Sequence, residues 1–90
     1  MNKNTNYWIT AIDTACDESW VHLQFETRVN GKIEVTSEEM WERDSDGVFE
    51  HDMVVHGERV EAFANLSIDK RQELINMAID QEDEPILFVA

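Results

Sequence analysis

Ninety residues with 20 Asp and Glu against seven Lys and Arg give this chain a formal net charge of -13. A field that negative repels nucleic acid and anionic lipid and attracts basic surfaces, which excludes direct nucleic-acid or membrane-surface binding as leading readings. A hydrophobic content of 42% with 9% aromatic residues is that of a folded domain, and the single cysteine, Cys16, excludes an internal disulfide.

Met1 to Asn6 reads as a frayed polar start with no apolar signal segment behind it, and no run approaches the roughly 20 apolar residues of a membrane-spanning helix. One cytoplasmic domain over residues 1–90 is the expectation. Tyr7–Thr14 is rich in β-formers and predicts a strand, followed by a polar turn at Ala15–Glu18. Trp20–Arg28 is the clearest strand. Val21, Leu23, Phe25 and Thr27 alternate there with Trp20, His22, Gln24, Glu26 and Arg28.

Asn30-Gly31 follows, and Lys32–Ser37 alternates again. A two-residue turn would pair Val29 with Lys32 and set one strand's apolar face beside the other's polar face. A three-residue loop, Val29-Asn30-Gly31, pairs Thr27 with Ile33, Phe25 with Val35 and Leu23 with Ser37. That makes the apolar face continuous, so the spacing predicts the longer loop with a bulge at its glycine.

Thr36–Arg43 reads as a continued strand or as a short helix opened by a Thr36/Glu39 capping box. The turn signal Asp44-Ser45-Asp46-Gly47, leading into a strand at Val48–Val55, favours the strand. Gly57 breaks the pattern, and Val60–Leu66 is a helical turn or a connection. Ser67 is an N-cap and Asp69 suits the first turn of a helix running from about Ile68 to Gln81. Ile68, Leu74, Ile75, Ala78 and Ile79 form its apolar stripe. Glu82-Asp83-Glu84-Pro85 stops it, and Ile86–Val89 is a short apolar strand. The order predicts an α+β fold, a small antiparallel sheet of four to five strands with one C-terminal helix packed on its apolar face.

In that register the second face collects Trp20, His22, Gln24, Glu26 and Arg28 beside Lys32, Glu34, Thr36 and Glu38, continued by Met40, Glu42 and Asp44. Glu26 then lies opposite Glu34, and like charges so placed weaken a strand pair. The expected carriers of a binding surface are Glu26, Glu34, Glu38, Glu42, Asp44 and Asp46, with Trp20 as aromatic anchor. The alternative is a solvated face, with Trp20 packed beneath the Ala15–Glu18 turn.

Chemistry finds little support. His51 and His56 are five apart and point to opposite faces of a strand. A calcium-loop register on Gly47 puts Met53 where a bidentate Glu is required. Cys16 has no basic partner marked for it. No catalytic residue, metal or cofactor is therefore expected, and the chain reads as a non-enzyme.

The leading expectation is a module that occupies the basic, nucleic-acid-binding site of a partner protein. Carboxylates at alternate strand positions lie about 6.6–6.8 Å apart, and DNA carries one phosphate per about 3.4 Å on each strand, so two adjacent strands approach its charge density. Small acidic inhibitors of nucleases carried by mobile elements share this general profile, a likeness of class without a motif. The alternative is a structural or assembly module, a homodimer joined through the Ile86–Val89 edge.

Overall fold

The computed structural model describes residues 6–81 and 84–89. It contains a five-stranded antiparallel sheet of order β4-β3-β2-β1-β5, with β1 at Asn6–Thr14, β2 at Trp20–Val29, β3 at Lys32–Arg43, β4 at Phe49–Gly57 and β5 at Ile86–Val89. Two helices, α1 at Glu61–Ala64 and α2 at Ile68–Asp80, lie between β4 and β5 in the chain. The expected frayed start falls outside the described residues except for Asn6, which opens β1 against Val89. Of the expected helix stop, Glu82 and Asp83 lie outside them as well. Among the described residues no helix is long and apolar enough to cross a membrane.

The β2–β3 connection departs from the sequence reading. Asn30 and Gly31 both have positive φ, 52° and 79°, which is the two-residue turn that asparagine and glycine favour. Val29 pairs with Lys32, Arg28 with Ile33, Thr27 with Glu34 and Glu26 with Val35. The mismatch this creates is removed further along, where Thr36 is an extra residue and Phe25 pairs with Ser37, Leu23 with Glu39 and Val21 with Trp41. A bulge in mid-strand, rather than a longer loop, brings the apolar faces into line. Thr36 Oγ1 donates to the Phe25 carbonyl at 3.1 Å and holds the extra residue in place. Ile33 and Val35, expected in the core, therefore face solvent on the opposite side.

Thr36–Arg43 is strand throughout. β4 carries two further register shifts against β3 and ends on Gly57, where a Cβ would collide with the Thr36 carbonyl oxygen. The φ of 75° at Gly57 adds a second reason for glycine there.

One sheet face supplies Ile9, Ala11, Val21, Leu23, Phe25, Trp41, Phe49, Ile86 and Phe88 to a single buried cluster. Val60, Phe63 of α1 and Leu74, Ile75 and Ala78 of α2 complete it. The Phe63 ring meets Phe25 at 5.1 Å, Trp41 at 5.3 Å and Phe88 at 5.8 Å, each edge-on, the geometry aromatic quadrupoles favour. Ser67 caps α2 as expected, its Oγ accepting from the Lys70 N–H at 3.2 Å. Ile68, expected in the stripe, is exposed because it opens the helix beyond the cluster. Gln72 joins α2 to β4 by accepting from the Phe49 N–H at 3.0 Å and donating to its carbonyl at 3.1 Å.

Candidate functional site

The second, outer sheet face reads in rows across the strands, because directly paired residues project to the same side. Val35, Glu26, Trp8 and Leu87 form one row. His56, Glu38, Gln24 and Thr10 form the next, followed by Met53, Met40, His22 and Asp13. The last is Glu50, Glu42 and Trp20.

Four of the seven expected site residues share this face. Trp20 is half-buried and opens β2 opposite Glu42. Glu42 is exposed. Glu38 lies with Oε1 3.0 Å from His22 Nε2, without the alignment a hydrogen bond needs. Glu26 is mostly covered, accepting from Gln24 Nε2 at 3.4 Å and lying 3.8 Å from Arg28 Nε. Glu34 is on the other side of the bulge and so projects to the opposite face, 3.7 Å from Lys32 Nζ. The expected Glu26–Glu34 opposition does not exist, because the two-residue turn sets Glu26 against Val35. Asp44 and Asp46 belong to the β3–β4 turn rather than to the face. Asp44 Oδ1 accepts the N–H groups of Asp46 at 2.8 Å and Val48 at 3.0 Å. These bonds, Val48 first, hold its carboxyl below the ordinary Asp range.

A like-charged cross-strand pair does occur elsewhere: Glu42 is directly opposite Glu50. It sits at the end of the sheet where the β1–β2 and β3–β4 turns come together. Arg43 binds those two turns. Its N–H donates to Ser19 O at 2.9 Å, Nε to Glu18 O at 2.8 Å and Nη1 to Gly47 O at 2.9 Å. Its Nη2 lies 3.3 Å from Glu18 Oε1, and the guanidinium stacks over Phe49 at 4.1 Å. This cation is occupied as an internal tie. Asp17, Glu18, Glu42, Asp44, Asp46, Glu50 and Asp52 crowd the same end. Glu42, Asp44, Glu50, His51 and Asp52 line an open depression there with Arg43. Among the described residues no group of three or more His, Cys, Asp or Glu is arranged to hold a metal ion.

Sequence reasoning misses Glu39, which is fully buried. Its Oε2 accepts from Ser37 Oγ at 3.2 Å and from the Val60 N–H at 2.9 Å. Its Oε1 accepts from Trp41 Nε1 at 3.2 Å, and His51 Nε2 lies 3.5 Å away. Val60 is the residue before α1 and has no side-chain cap of its own, so Glu39 sets where α1 and its Phe63 begin. The alternation Ser37-Glu39-Trp41, on the face opposite Glu38, Met40 and Glu42, is the signal that marks this position.

Comparison with protein-family models, with curated proteins and with solved structures finds no match to this chain.

Proposed function

We propose that this protein is a non-catalytic binding module whose acidic turn end occupies a basic, nucleic-acid-binding surface on another protein. The reading takes α2 as the cover of the apolar face, which leaves the turn end and the outer face for a partner. Its carriers differ from those expected from sequence. Glu42, Asp46 and Glu50, with Asp44 as turn-former and Trp20 alongside, take the place of a row running through Glu26 and Glu34.

The Glu42–Glu50 pair is the observation that supports this most directly. Two carboxylates at cross-strand distance repel by about 1 kcal/mol in water. Arg43, which lines the same depression, is committed to the turns. A cationic partner relieves that repulsion on binding and is steered toward it from a distance.

The test uses immobilised protein and nuclease-treated cell extract. Bound proteins are expected to stay at low ionic strength, to leave by about 0.5 M salt, and to be displaced by added duplex DNA or RNA. A Glu42→Gln/Asp46→Asn/Glu50→Gln variant keeps the Asp44 turn bonds and is expected to lose them. Undiminished capture by that variant, or capture indifferent to nucleic acid, overturns the proposal.

A further inference from the structure

At the far end of the outer face, away from the acidic turns, the surface changes character. Four large apolar side chains stand exposed there: Ile33 at 59%, Val35 at 42%, Leu87 at 52% and Val89 at 53%. They form two strips, one on β3 and one on β5. Between them Arg28 stacks over Trp8 at 4.4 Å and lies 3.8 Å from Glu26, so the charges in the patch cancel. Exposed apolar side chains gathered at one end of a sheet face and rimmed by polar ones are the pattern of an interaction surface.

We infer that a second copy of this chain docks face to face on this patch, about a two-fold axis that lies in the interface and runs perpendicular to the strands. The rows make the patch complementary to itself. Ile33 pairs with Arg28 in one row, and Val35 with Glu26 in the next. Val89 and Leu87 occupy the same two levels on β5, opposite Asn6 and Trp8. The two-fold exchanges the levels. Ile33 then meets Val35 of the other copy, Val89 meets Leu87, and Arg28 meets Glu26. An interface of this kind must be self-complementary, and here both the apolar and the charged positions satisfy that.

Charge selects this arrangement over others. The six residues from Glu26 to Trp20 put the patch about 20 Å from the acidic row, some two Debye lengths at physiological ionic strength. With the strands of the copies antiparallel, the acidic ends point away from each other, roughly 40 Å or more apart, and hardly oppose docking. A two-fold parallel to the strands would instead gather the acidic ends of both copies at the same extremity of the dimer. The area sets the strength. Four strands spaced by about 4.8 Å and some 15–20 Å of strand length give a plane of about 300–400 Å² per copy. That is about half the roughly 800 Å² per partner of a standard interface, so the dimer is weak and forms only at high concentration. This inference stands apart from the acidic-end reading, and a dimer would carry one acidic end at each extremity.

The expectation is a mass near twice the monomer at roughly 500 µM and near the monomer at about 5 µM in sedimentation at physiological salt. Val35→Lys and Ile33→Lys, both at exposed positions, are each expected to abolish the dimer while leaving the melting temperature nearly unchanged. A Val35→Cys variant in a Cys16→Ser background is expected to cross-link between copies through a short bismaleimide. Joining the copies through their β5 edges would separate the two introduced thiols by about 34 Å, seven strand spacings, and leave them unlinked. A monomer at every concentration, a dimer that survives both lysine variants, or a dimer that fails to cross-link overturns the inference.

Discussion

Replacing Glu39 by Gln removes one formal charge and hardly any volume, so its effect reads the hydrogen-bond set around the carboxylate. That set consists of Ser37 Oγ, the Val60 N–H and Trp41 Nε1, with His51 Nε2 a little further off. A carboxylate accepts at both oxygens, whereas a glutamine amide accepts at one and donates at the other. With its oxygen toward Val60 and Ser37, the Gln NH₂ faces the Trp41 N–H, and that indole donor is left buried and unpaired. The reverse orientation leaves the Val60 N–H unpaired and disturbs the start of α1. Either way one buried donor is orphaned, a loss of about 1–3 kcal/mol. The total stability of a chain this size is about 5–13 kcal/mol, so the change is large. It corresponds to a fall of about 5–20 °C in melting temperature. Glu39→Leu orphans two N–H groups and is expected to lose more, even though replacing a buried charge by an apolar side chain is neutral or stabilising where no donors remain. Urea unfolding followed by tryptophan fluorescence measures both. A Glu39→Gln midpoint equal to the parent's, or a Glu39→Leu variant more stable than the parent, would refute the argument that this carboxylate organises β3 and α1.

Gly57→Ala is expected to destabilise by about 1–3 kcal/mol from backbone strain alone, with a further loss from the collision with the Thr36 carbonyl. Gly31→Ala, also at positive φ but with open space where its Cβ would lie, is expected to cost less, about 1–2 kcal/mol. Comparing the two thermal melts isolates the Thr36 contact, and equal losses would count against it. Asp44→Asn tests the turn carboxylate. Because Asp44 is held below the ordinary Asp range by the Val48 and Asp46 N–H groups, its contribution is full above that range and disappears as pH falls through it. The variant is expected to have a lower urea midpoint than the parent at pH 7 and to converge with it toward about pH 2. A gap that persists unchanged in acid would show that the charge is not responsible.

Where local pattern and tertiary packing agree, the elements are legible in the residues. The alternation of Trp20–Arg28, the Ser67 cap and stripe of α2, and the four-residue Ile86–Val89 strand all appear close to where periodicity puts them. The failures have one origin. A period of two carries no mark of a bulge, so the mismatch between the β2 and β3 patterns reads as evidence for a longer loop. The chain resolves it at Thr36, through a hydroxyl bonded to Phe25 O and a glycine 21 residues later that makes room for the Thr36 carbonyl. That partnership is invisible locally. Once parity reverses at Thr36, Glu34 leaves the acidic face and Ile33 and Val35 leave the core, whereas Glu39 lies on the inner face in either register. The acidic end is only half legible. The turn signal points to Asp44 and Asp46 but not to Glu50, whose opposition to Glu42 is set by the Arg43–Phe49 pairing that closes the turn.

The extra residue in β3 also divides the sheet into two compartments. Residues 29–35 make no contribution to the buried cluster, and their side chains are set one step out of phase with everything beyond Thr36. Drift in that hairpin tip is uncoupled from the interior. A lineage can rewrite the tip, and with it whatever the molecule touches there, while the rest of the architecture stays the same.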